Sequence, residues 1–186
     1  MHVRGAKKRE EVWLLDRLDE FGFTDPAFRS RDYTVAVDED TGEKVGFGRL
    51  RVHADDGVCE VTNLGTLPDW RGTGVAAHVL ESLVENAREQ DFEVVYSMTD
   101  NAEFLEQFGF EETDPVELPP KLRERLDEIE ESRGSATPMQ LDLEDFEMPR
   151  YLHRRWSEDE EEIQETAEDF GIDPEKATYK YDTGRR

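Results

Sequence analysis

The sequence predicts an α/β (α+β) fold in which one sheet carries helices on its faces. The predicted elements run in the order helix, three strands, helix, strand, helix. The first three strands are joined by polar turns, whereas a helix connects the third strand to the fourth. A length of 186 residues fits one domain with an extension better than it fits two cores.

The first third of the chain contains one helix and three strands. Apolar residues recur at helical spacing from Arg9 to Phe21, and a glycine follows as a stop signal. Residues 33–37, 45–52 and 58–67 have the composition of strands separated by polar turns. In the second of these strands the apolar phase slips by one residue at Gly48, which indicates a bulge.

In the rest of the domain, predicted helices and strands alternate along the chain. A broad apolar stripe from Val75 to Ala87 predicts an amphipathic helix. We expect a strand over 92–97, a short helix over 102–108, a charged helix over 121–133 and a closing strand over 139–143.

The composition changes after Phe146. Residues 1–146 are expected to form the domain, and residues 147–186 an acidic, mainly helical C-terminal extension with a few apolar anchors. A local acidic tail would suggest a basic partner, but here the acidic residues recur along the whole chain.

The charge of the chain excludes some partners. Acidic residues number 47 against 23 basic ones, giving a formal charge of −24, so binding to nucleic acid through phosphate neutralisation is not expected. Only 6 of the basic residues are lysines, a pattern that resembles halophilic, cytoplasmic proteins of salt-accumulating archaea. No apolar run is long enough for a membrane span, and no leader opens the chain, so we expect a cytoplasmic protein.

A single cysteine limits covalent and metal chemistry. Cys59 alone cannot form an internal disulfide or a multi-thiolate metal site, and the four histidines are scattered. We therefore expect no metal. Cys59 as an acyl-carrying nucleophile is an alternative, although a lone strand cysteine is usually a core residue.

The segment from Leu64 to Ala76 contains the most informative pattern. A strand ends at Pro68, a tight turn follows, and Gly72 and Gly74 open the amphipathic helix. Amides at a helix N-terminus next to glycines can cradle an anion such as a diphosphate. The spacing fits neither a Walker loop nor a complete dinucleotide fingerprint. The alternative is a glycine-rich turn that binds nothing.

Two segments together resemble a known family. The pattern Arg71-x-x-Gly74-x-Ala76 resembles motif A of the GNAT superfamily of acyl-CoA-dependent N-acetyltransferases. The segment 102–110, which ends in Gly-Phe, is similar to motif B of that family. Strand, turn, helix, strand and helix follow in the family's order from about residue 2 to residue 146.

The resemblance implies a GNAT-like mixed sheet with helices on both faces. The sheet would splay between the strands 58–67 and 92–97, and acetyl-CoA, the co-substrate, would place its pantetheine arm in the gap. The backbone of the earlier strand would bind this arm, and the following turn and helix start would bind the pyrophosphate. The implied cofactor-binding residues are Leu64, Gly65, Thr66, Arg71, Gly72, Thr73, Gly74, Val75, Ala76 and Ala77.

The same resemblance suggests a catalytic residue and one departure. Glu60 lies 11 residues before Arg71, the spacing of the base glutamate in the histone-acetyltransferase branch. A partly buried carboxylate there could accept the proton of the amine that attacks the thioester. The alternative is a polar residue on a solvated strand face. Leu105 stands where many members carry an acidic tyrosine, so Tyr96, Thr99, water or unassisted departure would replace it.

The acceptor is predicted only by class. Three stretches, Phe104 to Phe110, Leu118 to Lys121 and Met139 to Leu141, are together similar to the acetyltransferase domain of N-acetylglutamate synthases. This similarity favours a small amine or amino acid over a protein amine. Four arginines could bind an acidic acceptor, although ordinary salt bridging would explain them equally well: Arg29, Arg31, Arg49 and Arg51. The rival interpretation is a catalytically silent acyl-CoA-binding module, and a homodimer is compatible with either function.

Overall fold

The computed structural model describes residues 1–152. The strands are β1 (His2–Gly5), β2 (Tyr33–Val37), β3 (Lys44–His53), β4 (Val58–Thr66), β5 (Val94–Thr99), β6 (Glu111–Glu112) and β7 (Thr137–Asp142). The main helices are α1 (Glu11–Phe21), α2 (Val75–Glu89), α3 (Ala102–Glu106) and α4 (Pro120–Arg133). All of them belong to one compact unit, Met1–Met148. The expected helical extension lies mostly outside the described residues.

Every helix and strand predicted within residues 1–146 is present, with boundary shifts of one to three residues at most ends. Two strands escaped prediction. β1 has four residues of mixed polarity that pair with β2, and β6 has only two residues, both exposed glutamates. Neither strand is long enough to show an alternating pattern, so only the pairing reveals it.

The strands form one seven-stranded sheet in the order β1-β2-β3-β4-β5-β7-β6. All neighbours are antiparallel except β4 and β5, which are parallel and connected through α2. The mixed sheet implied by the resemblance is therefore confirmed.

Helices cover both faces of this sheet, as neighbouring residues of β3 show. Phe47 packs with Leu14 and Leu18 of α1 on one face. The adjacent Gly48 faces α2, because a Cβ built there would lie 2.9 Å from the Leu83 Cδ1 atom and 3.0 Å from Val79. A side chain at position 48 would push α2 off the sheet. The close approach of α2 to the sheet thus depends on this glycine.

The second helix on the α1 face is α4. Its buried leucines contact side chains of β4 and β5 that belong to the same face as Phe47, as the strand register requires. The residues of this small cluster are Leu118, Leu122 and Leu126 with Val58, Tyr96, Met98 and Ala136. Between α1 and α4, the middle of the face holds buried charged side chains.

The predicted irregularity at Gly48 is present, but its extra residue belongs to β4. The register pairs Phe47 with Gly65 and Arg49 with Thr62, so two residues of β4 oppose Gly48 alone. One of them, Asn63, has a φ of 52°, a left-handed conformation in which asparagine is more readily tolerated than most side chains. The bulge bends β4 just where it leaves β5.

Candidate active site

The parallel strands β4 and β5 pair over a short distance and then separate. Their register contains only Cys59 with Val95 and Glu60 with Tyr96. The Ser97 hydroxyl still donates a hydrogen bond of 3.0 Å to the carbonyl of Val61. Beyond this point the two strands are no longer neighbours, so a cleft opens through the sheet. The implied splay between these two strands is thus present.

This cleft has a volume of about 410 Å³. Its walls come from β4, from β5 and the turn after it, from the start of α2, from α3 and from the ends of α1 and α4. The lining includes Phe21, Val61, Thr62, Asn63, Leu64, Gly65, Thr66, Arg71, Ala76, Ser97, Met98, Thr99, Asn101, Leu105, Ile129 and Arg133. Five of the ten predicted cofactor-binding residues are among them.

The glycine turn adopts the geometry that the sequence pattern predicted. Gly72 and Gly74 have φ values of 74° and 94°, which side chains rarely adopt. Gly74 caps α2, and the first helical hydrogen bond runs from the His78 amide to its carbonyl. The amides of Val75, Ala76 and Ala77 precede that bond, so they make no such bond within the helix. They form the N-terminal face of the helix, where an anion is favoured.

One predicted member of the cradle, Thr73, serves the turn itself. The amide of Thr73 donates to the Trp70 carbonyl at 3.3 Å, and the Thr73 hydroxyl donates to the same oxygen at 2.6 Å. The side chains of Val75 and Ala77 are buried. At these positions only the backbone of the helix start faces outward.

The strand side of the cleft offers unpaired polar groups. Within residues 1–152, β4 has no partner on its β5 side after Val61, so one edge of the segment from Leu64 to Thr66 is open to the cleft. The Thr66 hydroxyl is buried and has no hydrogen-bond partner among the described residues. A buried polar atom without a partner is costly unless a ligand or water meets it. The residues present therefore fit a bound acyl-CoA arm.

Glu60 is fully buried, which excludes the alternative of a solvated strand face. Its Oε2 atom lies 2.9 Å from the Nε2 atom of His53 and 3.6 Å from the Nε atom of Arg125. Its Oε1 atom has no hydrogen-bond partner within residues 1–152. Glu60 is not itself a wall of the cleft, but Thr62, two residues along β4, is. A water molecule would have to connect the carboxylate to a bound amine.

The residues that could assist the leaving thiolate differ in position. Leu105 is buried and lines the cleft, so no acid occupies the place of the family tyrosine. Thr99 also lines the cleft, whereas Tyr96 packs against α4 on one face of the sheet. Burial raises the pKa of Tyr96, with smaller contributions from Asp142 and Cys59.

The cysteine is a core residue. Cys59 is inaccessible to solvent, and burial raises the pKa of its thiol to about 12. A thiol in this environment is not a nucleophile at neutral pH, because the thiolate is the reactive form. The structure therefore favours the core role that the sequence suggested.

The four arginines expected near an acceptor divide into two groups. Arg49 is buried and donates to Asp25, to the Ala27 carbonyl at 2.9 Å and to Asp32 at 3.0 Å, so salt bridging explains it. The other three make no ion pair within the described part of the chain. They are Arg29, Arg31 and Arg51.

Several polar residues of this site could not be identified from sequence. His53 and Arg125 are 72 positions apart along the chain, yet both contact Glu60. Asn63 reaches the cleft because of the bulge, and its side chain donates to the Tyr33 hydroxyl at 3.0 Å. The phase slip at Gly48 was the one sequence signal for this group. It indicated where the bulge lies, but not which residue of β4 the bulge brings to the cleft.

A mixed sheet that splays beside a glycine-opened helix defines the class of acyl-CoA-dependent acyltransferase folds. The comparison with family models agrees. The model of the "Acetyltransferase (GNAT) family" matches residues 5–110, more than half of the chain, and the chain belongs to this family. It is an acetyltransferase with acetyl-CoA as co-substrate.

Solved structures with the same fold include three bacterial proteins, each matching 76% of this chain. Rv2747 from Mycobacterium tuberculosis, in complex with CoA, is 19% identical with a TM-score of 0.67 over 99% of its chain. N-acetylglutamate synthase from Neisseria gonorrhoeae, complexed with coenzyme A and N-acetyl-glutamate, is 17% identical with a TM-score of 0.63 over 35% of its chain. A GNAT acetyltransferase from Staphylococcus aureus is 13% identical with a TM-score of 0.55 over 98% of its chain. At these identities the likeness establishes the fold.

Across residues 1–152, no helix is both long and apolar enough to cross a membrane. In the same range, no group of three or more histidine, cysteine, aspartate or glutamate side chains is arranged to hold a metal ion.

Proposed function

We propose that this protein transfers the acetyl group of acetyl-CoA to a primary amine, with a small amine or an amino acid preferred over a protein amine. The observation that carries the proposal is the cleft, which joins an open strand edge, the unpartnered Thr66 hydroxyl and the glycine-opened start of α2. Two of the similar structures contain CoA, which supports acetyl-CoA as the co-substrate.

The pyrophosphate of the co-substrate binds at the start of α2. The amides of Val75, Ala76 and Ala77 and the positive end of the helix dipole stabilise it. Arg71 at the rim of the cleft adds a positive charge. The pantetheine arm binds along the open edge from Leu64 to Thr66, which directs the thioester towards the bulge of β4.

The acceptor amine attacks the thioester directly, so it first loses a proton. Glu60 is the proposed general base, and its free Oε1 atom receives that proton through a water molecule. His53 and Arg125 hold the other carboxylate oxygen and keep the side chain in place. The thiolate leaves without the family tyrosine, with Thr99 or water as the proton source.

A volume of about 410 Å³ supports a small acceptor, because the arm of the co-substrate takes up much of it. Similarity to an N-acetylglutamate synthase is compatible with an amino acid acceptor. We also propose that the protein is cytoplasmic and that its acidic composition is an adaptation to high salt.

The decisive experiment measures release of free CoA from acetyl-CoA in the presence of amines, amino acids and lysine peptides, in low and in molar salt. Turnover with a small amine or amino acid, and less with peptides, is the expected result. Thermal stability is measured in parallel, and CoA at about 100 times its Kd should add about 2.7 kcal/mol to the free energy of unfolding.

A second candidate is a silent acyl-CoA-binding module. The replacement of the acidic tyrosine by Leu105 and the ion-paired burial of Glu60 favour it. Stabilisation by acetyl-CoA without turnover of any acceptor would select this candidate. Absence of stabilisation by any acyl-CoA would contradict both.

A further inference from the structure

A second cavity, of about 490 Å³, lies at the edge of β3. Pairing between β2 and β3 ends at Tyr33 and Arg49, so the rest of β3 has β4 on one side and an open edge on the other. The cavity follows this edge from Leu50 to Asp55. None of its lining residues lines the acetyl-CoA cleft.

Positive side chains dominate this cavity, although the chain as a whole is strongly acidic. The ionisable lining residues are Arg29, Arg31, Asp32, Arg49, Arg51, His53, Asp55 and Lys121. Arg49 pairs with Asp32, and Lys121 pairs with Glu124. Within residues 1–152, the guanidinium groups of Arg29, Arg31 and Arg51 have neither an ion pair nor a hydrogen bond.

The loop that carries two of these arginines is fixed to the sheet. Arg49, which is 3% exposed, donates to the Ala27 carbonyl and to Asp32, on either side of Arg29 and Arg31. This pairing holds the loop against β3. The two arginines are therefore placed beside the cavity by buried contacts, not by a flexible surface loop alone.

Arg51 is half-buried in an unfavourable environment. Burial lowers its pKa, and the neighbouring charges of Arg125 and Arg49 lower it further, while Glu60 acts in the opposite direction. A partly buried charge without a partner costs free energy. A bound anion would offset this cost, because the arginine fork matches carboxylate and phosphate oxygens in two-point hydrogen bonds.

We propose that this cavity binds a small molecule with two or more oxyanion groups, at a site separate from the acetyl-CoA cleft. The shared chemistry is that of a polycarboxylate or a phosphate compound. Several charges are needed because Asp55 and the C-terminal end of α2, where Asn86 and the capping residue Gln90 line the cavity, oppose an anion. His53, which borders the cavity and contacts Glu60, connects this site to the proposed base.

The test is isothermal titration calorimetry with citrate and with inorganic pyrophosphate, on protein saturated with CoA at constant ionic strength. Saturation with CoA blocks the start of α2, the other place where these probes could bind. We expect millimolar or tighter binding of at least one probe. Binding of citrate alone identifies carboxylates as the ligand class, and binding of pyrophosphate alone identifies phosphates.

Two variants test whether the binding measured by calorimetry occurs in the cavity. Arg51→Gln, and the double change Arg29→Gln with Arg31→Gln, should each weaken binding tenfold or more. Arg9→Gln removes the same charge from an exposed position outside the cavity and should change the affinity less than twofold. Thermal unfolding of each variant confirms that it is folded.

The proposal is overturned if neither probe binds the wild-type protein, or if Arg9→Gln weakens binding as much as Arg51→Gln does. It is also overturned if CoA abolishes binding that occurs in its absence, since the probes then occupy the cofactor site. None of these measurements depends on acetyl transfer, so the proposed function can fail while this site stands.

Discussion

The side-chain amide of Asn63 donates a hydrogen bond of 3.0 Å to the hydroxyl of Tyr33, which itself donates to Asp25 at 2.6 Å. This contact ties the bulge of β4 to the strand β2, across β3. Asp25 also accepts from Arg49, so the wall of the cleft and the loop after α1 share one buried polar network. Burial, with Asp25 as the next cause, raises the pKa of Tyr33, so the hydroxyl stays protonated at neutral pH.

Tyr33→Phe should destabilise the fold by about 1–3 kcal/mol, because the side chains of Asn63 and Asp25 each lose a buried partner. Urea denaturation measures this loss. The kcat/KM for the acceptor should fall as well, since the bulge is no longer held. Tyr96→Phe is the matched control, because the Tyr96 hydroxyl has no hydrogen bond within residues 1–152. Equal effects of the two substitutions would contradict the role of the network.

Glu60→Gln should slow acetyl transfer by about 10²–10⁴-fold at neutral pH while CoA affinity is retained. The deficit should shrink as pH rises towards the pKa of the amine, because free amine is then available without a base. Steady-state rates across pH and a CoA titration measure both effects. Glu60→Gln also removes a charge beside Arg125, so unfolding must be followed in parallel.

Glu128→Gln is the control for that substitution. Glu128 binds the same Arg125 at 2.8 Å but is more than half exposed, so its loss should cost less than about 1 kcal/mol and leave the rate unchanged. A rate loss below threefold in Glu60→Gln, with an unchanged pH profile, would reduce Glu60 to a structural residue.

Gly74→Glu should abolish CoA binding, because it places a negative side chain at the start of α2 where we propose the pyrophosphate. Any side chain at a φ of 94° is strained, so stability will fall as well. Gly74→Gln introduces the same strain and size without the charge. We expect CoA to bind this variant at least tenfold more tightly than it binds Gly74→Glu, as measured by calorimetry. Similar affinities would indicate that the pyrophosphate binds elsewhere.

Glu10 should make the stability of the domain depend on pH. Hydrogen bonds from Arg4 at 2.7 and 2.9 Å, with one from the Lys7 amide, lower its pKa from 4.5 to about 2. Because the pKa is lower in the folded state, this stability is complete above about pH 4.5 and is lost as pH falls towards 2.

The shift corresponds to about 3 kcal/mol, and solvent screening around the partly exposed Arg4 reduces the expected contribution to about 1–2 kcal/mol. Glu10→Gln should lower the free energy of unfolding by this amount at pH 7. Below pH 4.5 its stability should fall less steeply with pH than that of the wild-type protein, as measured by urea denaturation at several pH values. Glu20→Gln, which removes an exposed partner of Arg17, should change neither. If the stability of Glu10→Gln depended on pH below 4.5 as steeply as that of the wild-type protein, the role of Glu10 would be contradicted.

Local patterns predicted most of the fold. Apolar spacing located α1 and α2. Asparagine is a favoured capping residue, and Asn101 caps α3, with its side chain accepting from the Phe104 amide. The glycine turn was predictable because glycines such as Gly72 and Gly74 readily adopt backbone conformations that other residues avoid. These features depend on neighbours in sequence, so one sequence is enough to find them.

The chemistry around Glu60 was not predictable in the same way. Its burial depends on α4, which packs over β4 from more than 60 positions further along the chain. The sequence pattern placed Glu60 in the strand 58–67 but could not identify His53 and Arg125 as its partners. The unpaired arginines were also invisible, because pairing is a property of distances in space.

The absence of side chains at Gly46 and Gly48 determines how closely α2 approaches the sheet. Side chains of α2 occupy the room that a Cβ at either position would need, so the helix rests directly on the strand backbone. The helix α2, whose N-terminus forms the proposed pyrophosphate site, is therefore held at a fixed distance from the sheet. A methyl group at position 48 would move the pyrophosphate site away from the bulge of β4. The thioester would then lie too far from the amine, although no residue that contacts the thioester or the amine has changed.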